Sequence, residues 1–409
     1  MSGEARILIE ISPGQSRALY LDDGRAVEAW HDFHHDPDLT GSVHLVRIER
    51  VFAAQNRATA MLEDGTAISV RTTRHDKLAA GMAAIITLMA APREGKPWQA
   101  VTGARLAGRN MVLLPGGEGI ASSQRMTGPP AEEAMDALET MIAGCPGFGV
   151  ILRRHAGMAD DLAGEAAALL AAWQAGRRDV EDTGCLFDHG GLASRIALQE
   201  PHVEARQVGP EGSGDFDAQW DAMIEEATRT DVPLAGGGVM WIEPTRALTA
   251  IDLDSGRGDL AALFADAPDA VARQLRLRQT GGLVAVDVPR ASSSSGRIFD
   301  EALDSALGRD PRSPERIGRT RGGVTEIRIA HGRPGPGIWA ADSMAVDALA
   351  ALRAIALRPQ LASPRLECPP ETADWLRGPG AAALASLDRK VELVVSSGVS
   401  TATLIEAPQ

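Results

Sequence analysis

Residues 236–256 read GGGVMWIEPTRALTAIDLDSG, and residues 272–287 read ARQLRLRQTGGLVAVD. VMWIEP and ALTAID are apolar runs around a turn at Glu243-Pro244, which predicts two strands. The stretch DLAALFADAPDAVARQLRLRQT is apolar at helical spacing and predicts a helix over 259–280. LVAVD then predicts another strand. Strand, helix and strand in that order argue for an α/β unit. Residues i and i+2 of a strand share a face, so Asp252 and Asp254 project together. Asp287 ends the second apolar strand. If the two strands are neighbours, three carboxylates converge. Like charges that close repel unless a cation joins them. A set of oxygen ligands suits Mg²⁺, which takes one or two carboxylates with waters and phosphate oxygens. Such a site polarises a phosphodiester and activates water. Asp at a strand end is also a common helix cap, and the pattern alone leaves both readings open.

Outward from this segment the alternation continues. A helix near 297–308 and a strand near 324–331 follow it. The tail, 343–409, reads helix, strand, helix, strand, an α/β unit of its own. On the other side, a helix runs from Asp217 to about Thr228, and 178–214 has no clear period. Helices near 130–144 and 158–177 accompany the strands MVLLP and FGVILRRH. From Gly41 to about Ala107 short strands separated by Gly, Asp and Asn turns predict a small barrel, with the oligonucleotide-binding type as one candidate. Residues 4–30 predict a β-hairpin with Asp23-Gly24 at its turn. HDFHHDPDLTG, with His31, His34, His35, Asp32 and Asp36, predicts a solvated polar loop.

Composition narrows the function. Of 409 residues, 44% are hydrophobic and 23% charged, which excludes a wholly disordered chain. At roughly 150 residues per domain the chain holds several domains. Lys and Arg number 41 against 55 Asp and Glu, a net charge of −14. This argues against a polybasic nucleic-acid coat. Between 235 and 333 the signs nearly balance, 14 Arg against 13 Asp and Glu, as a local groove for RNA requires. Cys145, Cys185 and Cys368 are far apart with no C-x-x-C pair, so neither a zinc ribbon nor a disulfide framework is expected. The start, MSGEARILIEISPG, lacks the pattern of a signal peptide, and no long apolar run is present; both predict a cytoplasmic protein with no membrane partner. There is no phosphate loop, H-E-x-x-H, G-x-S-x-G or strand–G-x-G-x-x-G–helix unit, which argues against NTPase, zinc protease, serine hydrolase and dinucleotide enzyme.

The two quoted stretches resemble the catalytic core of the ribonuclease E/G family of endoribonucleases. In that family ALT-x-ID-x-N-[ST] and RQ-[LI]-RLR-x-x-GGLI-x-ID carry two Mg²⁺-binding aspartates, which fall on Asp252 and Asp287. Asp254 stands where the family has Asn. The resemblance extends along most of the chain. GSVHLVRIERV resembles the family's S1 barrel, PREGKPWQAVTGARLAG its end, with Lys96 on an RNA-contacting lysine. Met61 replaces the barrel's stacking aromatic. MVLLPGGEGI and FGVILRRHAGM resemble the 5′-monophosphate sensor, with Arg153 on the sensor arginine and Arg154 replacing a threonine. Ala121-Ser122-Ser123 replaces the family's S-R-R. FDAQWDAMIEEA resembles the segment entering the catalytic region, and SPRLECPPETADWLRG the small C-terminal domain. The family's C-P-x-C zinc link, expected between about Ile338 and Ser343, is absent.

The resemblance implies a multidomain α+β and α/β chain. Its modules are a first RNase H-like segment (1–38), an S1-like OB barrel (39–104), a 5′-sensor-like region (105–182), a shortened second RNase H-like segment (183–232), a DNase I-like catalytic α/β domain (233–340) and a small C-terminal α/β domain (341–409). It implies an endoribonuclease of RNA processing or decay that depends on Mg²⁺. Single-stranded RNA would be cut to 5′-phosphate and 3′-hydroxyl products. Asp252 and Asp287 would hold the ion, with Asp254 beside them as the third catalytic residue. Arg153, Arg154, Lys96, Arg273, Arg276 and Arg278 would contact RNA, the first two clamping a 5′-phosphate. No zinc-linked dimer is expected, and any homodimer would use another surface. Two alternatives stay open. One is a catalytically impaired RNA-binding relative, to which Asp254, Met61 and the missing zinc link point. The other is a metal phosphodiesterase acting on another nucleic acid or a nucleotide.

Overall fold

The computed structural model describes residues 5–93, 95–124, 126–256, 259–290 and 292–405. Its elements form a mixed α+β chain of five sheets.

The N-terminal segment is an antiparallel meander of three strands, Arg6–Ser12, Gln15–Asp22 and Arg25–Phe33. Asp23 and Gly24 form the expected two-residue turn, with φ of 48° and 74°, the positive values that match the twist of a hairpin. The third strand runs on through His31 to Phe33, so the predicted solvated loop begins too early. His31 is buried against Phe33, Trp220 and Trp339 and hydrogen-bonds Gln15. Burial, then the charge of Arg17, pushes its pKa down to about 3. From the stretch without a clear period, Glu204–Gln207 pairs parallel with Arg6–Ser12. The helix Ser213–Thr228 lays Phe216, Trp220 and Met223 on the same sheet.

Val43–Phe52, Arg57–Met61, Ala67–Arg71, Trp98–Thr102 and Ala83–Ala90 pair in that order, and the last returns to the first. Five strands therefore close a barrel, as the sequence led us to expect. Val46, Ile48, Ala58, Ala60, Ile68, Val70, Ile86 and Leu88 fill it, at the period of two that a barrel interior needs. A further sheet (Leu106–Ala107, Met111–Pro115, Phe148–Leu152, Gly119–Ser122) carries the helices Glu132–Ala143 and Leu162–Gly176 on a shared core.

The six-stranded sheet runs Asp231–Pro233, Val239–Pro244, Thr249–Asp254, Gly282–Asp287, Val324–Ile329, Glu315–Arg319. Only Thr249–Asp254 and Gly282–Asp287 are parallel, joined by the crossover helix Leu260–Leu277. Asp259 caps that helix by accepting from the Ala262 N–H at 2.6 Å. The helix stops short of the predicted Thr280 because Gln279 takes a φ of 53° and the Thr280 N–H turns back to the Leu275 carbonyl. Gly282, at φ 97°, then turns the chain into its strand. Ser293–Leu307 is the next helix, starting four residues before the sequence suggested, where Ser292 caps it. Both helices cover one face of the sheet, burying Ile251, Leu253, Val284, Val286, Ile327 and Ile329.

The tail forms a three-stranded sheet (Glu392–Val395, Arg365–Cys368, Thr403–Ile405) under the helix Ser343–Ala356. Arg353 of that helix bonds Glu10 and Asp217, tying the tail to the N-terminal sheet. Among the described residues no helix is long and apolar enough to cross a membrane.

Candidate active site

The site lies on the face of the six-stranded sheet that the helices leave open. Alternation decides which side chains reach it. Ile251, Leu253, Val284 and Val286 point into the core, so Asp252, Asp254 and Asp287 point out, and all three are exposed. Asp252 pairs directly with Asp287 across the parallel strands, about 4.8 Å apart by sheet geometry. Neither carboxylate has a hydrogen-bond or ion-pair partner among the described residues. Asp254 diverges from this pair. It is two residues further along, opposite Val239, and its Oδ1 accepts from the Gly256 N–H at 2.8 Å. Gly238 lies under it, where a Cβ would come within 2.6 Å of the Asp254 carbonyl oxygen. The structure therefore joins two of the three carboxylates and uses the third to hold the loop that follows.

Beside the pair is a shallow pocket of about 200 Å³, lined by Trp241, Glu243, Ala250, Asp252, Ala285 and Asp287 among others. Trp241 pairs with Asp252, and Glu243 with Ala250. Glu326 stands opposite Ala285 on the same face. Sequence reading missed Trp241 and Glu243. The expected turn at Glu243-Pro244 is the reason: the strand instead runs through Pro244 and the hairpin turns over Thr245–Leu248, which puts Trp241 and Glu243 in register with the Asp252 strand. Arg290, three residues beyond Asp287, was also missed; it is exposed with no partner among the described residues. Among the described residues no group of three or more His, Cys, Asp or Glu is placed to hold a metal ion.

The arginines of the crossover helix are a correction. Arg276 is 8% exposed. Its Nε donates to Glu28 and its Nη2 to Glu200, both at 2.6 Å, and its guanidinium lies over the Tyr20 ring. Burial works against its charge, but Glu28 and Glu200 outweigh it and hold its pKa above the ordinary value. Arg273 forks onto Glu226 and donates to the Ala26 carbonyl. Arg278 bonds Gln274 and the Glu226 carbonyl, and burial lowers its pKa to about 10. All three join the helix to the N-terminal sheet and the Ser213–Thr228 helix. None of them reaches the open face, because they occupy the helix flank that packs on protein.

Arg153 and Arg154 are a second correction. Arg153 donates to the Gly108 and Pro311 carbonyls, and burial lowers its pKa. Arg154 donates to the Pro314 carbonyl at 2.8 Å. Both arginines hold the loop before Glu315–Arg319, so they form no open clamp for a terminal phosphate. Lys96 is exposed on a short turn of the barrel, close enough to His331 that burial, Arg93 and Lys96 together bring His331 to a pKa of about 4. Met61 is exposed at a strand end of the barrel.

A family model described as the ribonuclease E/G family matches residues 215–329. This range holds both strands of the carboxylate pair. Ribonuclease G of Salmonella typhimurium is 21% identical over 370 residues, covering 75% of this chain and 76% of that protein. Ribonuclease E of Escherichia coli is 29% identical over 257 residues, covering 52% of this chain and 24% of that protein. Ribonuclease E of Buchnera aphidicola is 35% identical over 118 residues, 27% of this chain and 13% of that protein. The chain thus spans about three-quarters of the ribonuclease G relative and a quarter or less of these two ribonuclease E proteins.

Proposed function

From the match of residues 215–329 to the ribonuclease E/G family and the likeness to ribonucleases G and E, we propose that the chain is a Mg²⁺-dependent endoribonuclease of that family that cuts single-stranded RNA in RNA processing or decay. The observation that carries this reading is the in-register pair Asp252 and Asp287, exposed and unpartnered among the described residues on an open sheet face. Two adjacent carboxylates with no ion-pair partner among the described residues suit a hard divalent ion that completes its shell with water and phosphate oxygens. The chemistry such an ion supplies is charge neutralisation at the phosphate and acidification of the attacking water. Asp252 and Asp287 would hold the ion. Asp254 fixes the loop after the strand through Gly256 and keeps its second oxygen free to orient water. Water adds to phosphorus in line with the 3′ oxygen, the P–O3′ bond breaks, and that oxygen leaves with a proton. The products are a 5′-phosphate and a 3′-hydroxyl.

The same reading implies a division of the chain. We assign 1–38 and 183–232 to a split RNase H-like unit, 39–104 to an S1-like barrel, 105–182 to a sensor-like region, 233–340 to a DNase I-like catalytic unit and 341–409 to a small C-terminal domain. Lys96, exposed on the barrel, remains our candidate RNA contact there. We also assign the chain to the cytoplasm, as a protein that forms no zinc-linked dimer.

Incubating the purified protein with a 5′-monophosphorylated, AU-rich single strand, with and without Mg²⁺, tests the proposal. Cleavage only with the ion, mapped to 5′-phosphate ends, is expected. RNA binding without turnover in Mg²⁺ would assign the chain to the catalytically impaired class instead.

A further inference from the structure

The chain has seven tryptophans. Trp30, Trp98, Trp173, Trp220 and Trp339 are buried, and Trp375 is half-buried against His35. Trp241 alone is exposed, at 44%. It stands on the open face in direct register with Asp252. Its neighbours on that face are Asp231 and Asp252 across the strands and Glu243 along its own, and beyond them the small Ala250 and Ala285 pair across the two strands that carry the aspartates. They leave the floor of the pocket of about 200 Å³ flat and apolar beside the indole. A large aromatic left in water is disfavoured unless something covers it.

We propose that Trp241 is the platform on which the base beside the scissile phosphate stacks. The proposal rests on the endoribonuclease reading above. A phosphate at Asp252 and Asp287 and a base over Trp241 are one strand spacing apart, about 4.8 Å, within the reach of a single nucleotide. Stacking suits this occupant because every base offers a neutral π-face, which the carboxylates alongside do not repel. The aromatic lost from the barrel at Met61 is therefore matched by one beside the aspartates. Trp241 is a positioning residue: it holds the nucleotide, and the chemistry belongs to the carboxylate pair.

The test uses the full chain and two readouts. With Ca²⁺ in place of Mg²⁺, so that the two aspartates keep a hard cation to hold, a short single-stranded RNA of mixed sequence should quench the tryptophan fluorescence of the unaltered protein. Under the same conditions Trp241→Leu should abolish the quench and weaken binding by roughly tenfold or more, the size of one base–aromatic stack. In the otherwise unaltered enzyme Trp241→Leu should raise KM by a similar factor with a smaller change in kcat, and Trp241→Phe should restore it. If the enzyme cleaves RNA while Trp241→Leu binds and cuts normally, the platform is refuted and the endoribonuclease reading stands. If Trp241-dependent quenching is seen but no cleavage occurs, the platform stands and that reading falls.

Discussion

Replacing Arg276 with Met separates a structural arginine from an RNA-binding one. Its two partners are both nearly dry, Glu28 at 5% and Glu200 at 6% exposure. Removing one member of a buried ion pair costs about 3–5 kcal/mol, because a buried charge is left uncompensated. Here each carboxylate keeps one other cation, Glu28 through Arg333 at 2.7 Å and Glu200 through Arg109 at 3.2 Å. Burial already holds the Glu200 pKa above the usual carboxylate value, despite Arg276 and Arg109, so that group can take up a proton when Arg276 is lost. The loss should therefore sit at the low end, about 3 kcal/mol. For the cooperative unit affected this lowers the first melting transition by about 6–12 °C. The assay pairs thermal melting with RNA affinity across a salt series. A side chain that contacts phosphate contributes about 0.7 to the log–log salt slope for a single strand. Arg276→Met should leave that slope unchanged, whereas Lys96→Ala should reduce it by about that amount. An unchanged melting temperature together with a shallower slope for Arg276→Met would refute the structural assignment.

Four further outcomes follow from the same geometry. Asp252→Asn or Asp287→Asn should abolish Mg²⁺-dependent cleavage with melting unchanged, while Asp254→Asn should keep activity, since its amide oxygen still accepts from Gly256; full activity in either of the first two would remove the metal assignment. Because Arg153 and Arg154 are bonded to the loop at 311–314, 5′-monophosphate and 5′-hydroxyl strands should be cut at rates within about twofold, whereas an open clamp would favour the phosphate severalfold. Metal analysis should find no stoichiometric zinc, and zinc bound through the buried Cys368 would contradict this. His31 (pKa about 3) and His44, His189 and His331 (each about 4) are depressed mainly by burial, so the unfolded chain binds more protons than the folded one below pH 6.5. Stability should be full above that pH and fall progressively towards pH 4, as followed by melting temperature; a flat profile would show that these histidines are hydrated.

The carboxylate pair was legible because strand alternation is a local rule. Ile251 and Leu253 had to face a core, so Asp252 and Asp254 had to face away. The barrel was legible for the same reason. The arginines were not. Helical spacing puts Arg273 and Arg276 on one flank but does not say what that flank meets. Its partners Glu28, Glu200 and Glu226 lie on three separate segments. The strand Glu204–Gln207 was hidden similarly: all four residues are exposed, so no apolar period marks it, and only its pairing with Arg6–Ser12 defines it. His31 looked solvated because its neighbours in sequence are polar, whereas its neighbours in space are rings from Trp220 and Trp339.

These long-range pairs also change what the local charge balance means. Many of the arginines between 235 and 333 neutralise protein carboxylates: Arg273 with Glu226, Arg276 and Arg333 with Glu28, Arg312 with Asp310, Arg316 with Asp304, Arg319 with Asp300 and Arg328 with Glu315. Near-equal counts of the two signs therefore do not make a basic groove. Among the described residues the open face presents Asp252, Asp287, Glu243 and Glu326, the ion pairs Asp231–Arg229 and Glu315–Arg328, and Arg290 at its margin. Such a surface repels an RNA phosphate at separations inside the Debye length, about 8 Å at physiological salt. On the proposed reading, a divalent ion held by Asp252 and Asp287 would offset that field where the phosphate is to sit, so the ion would serve binding as well as hydrolysis, while stacking on the neutral Trp241 would add affinity without any charge.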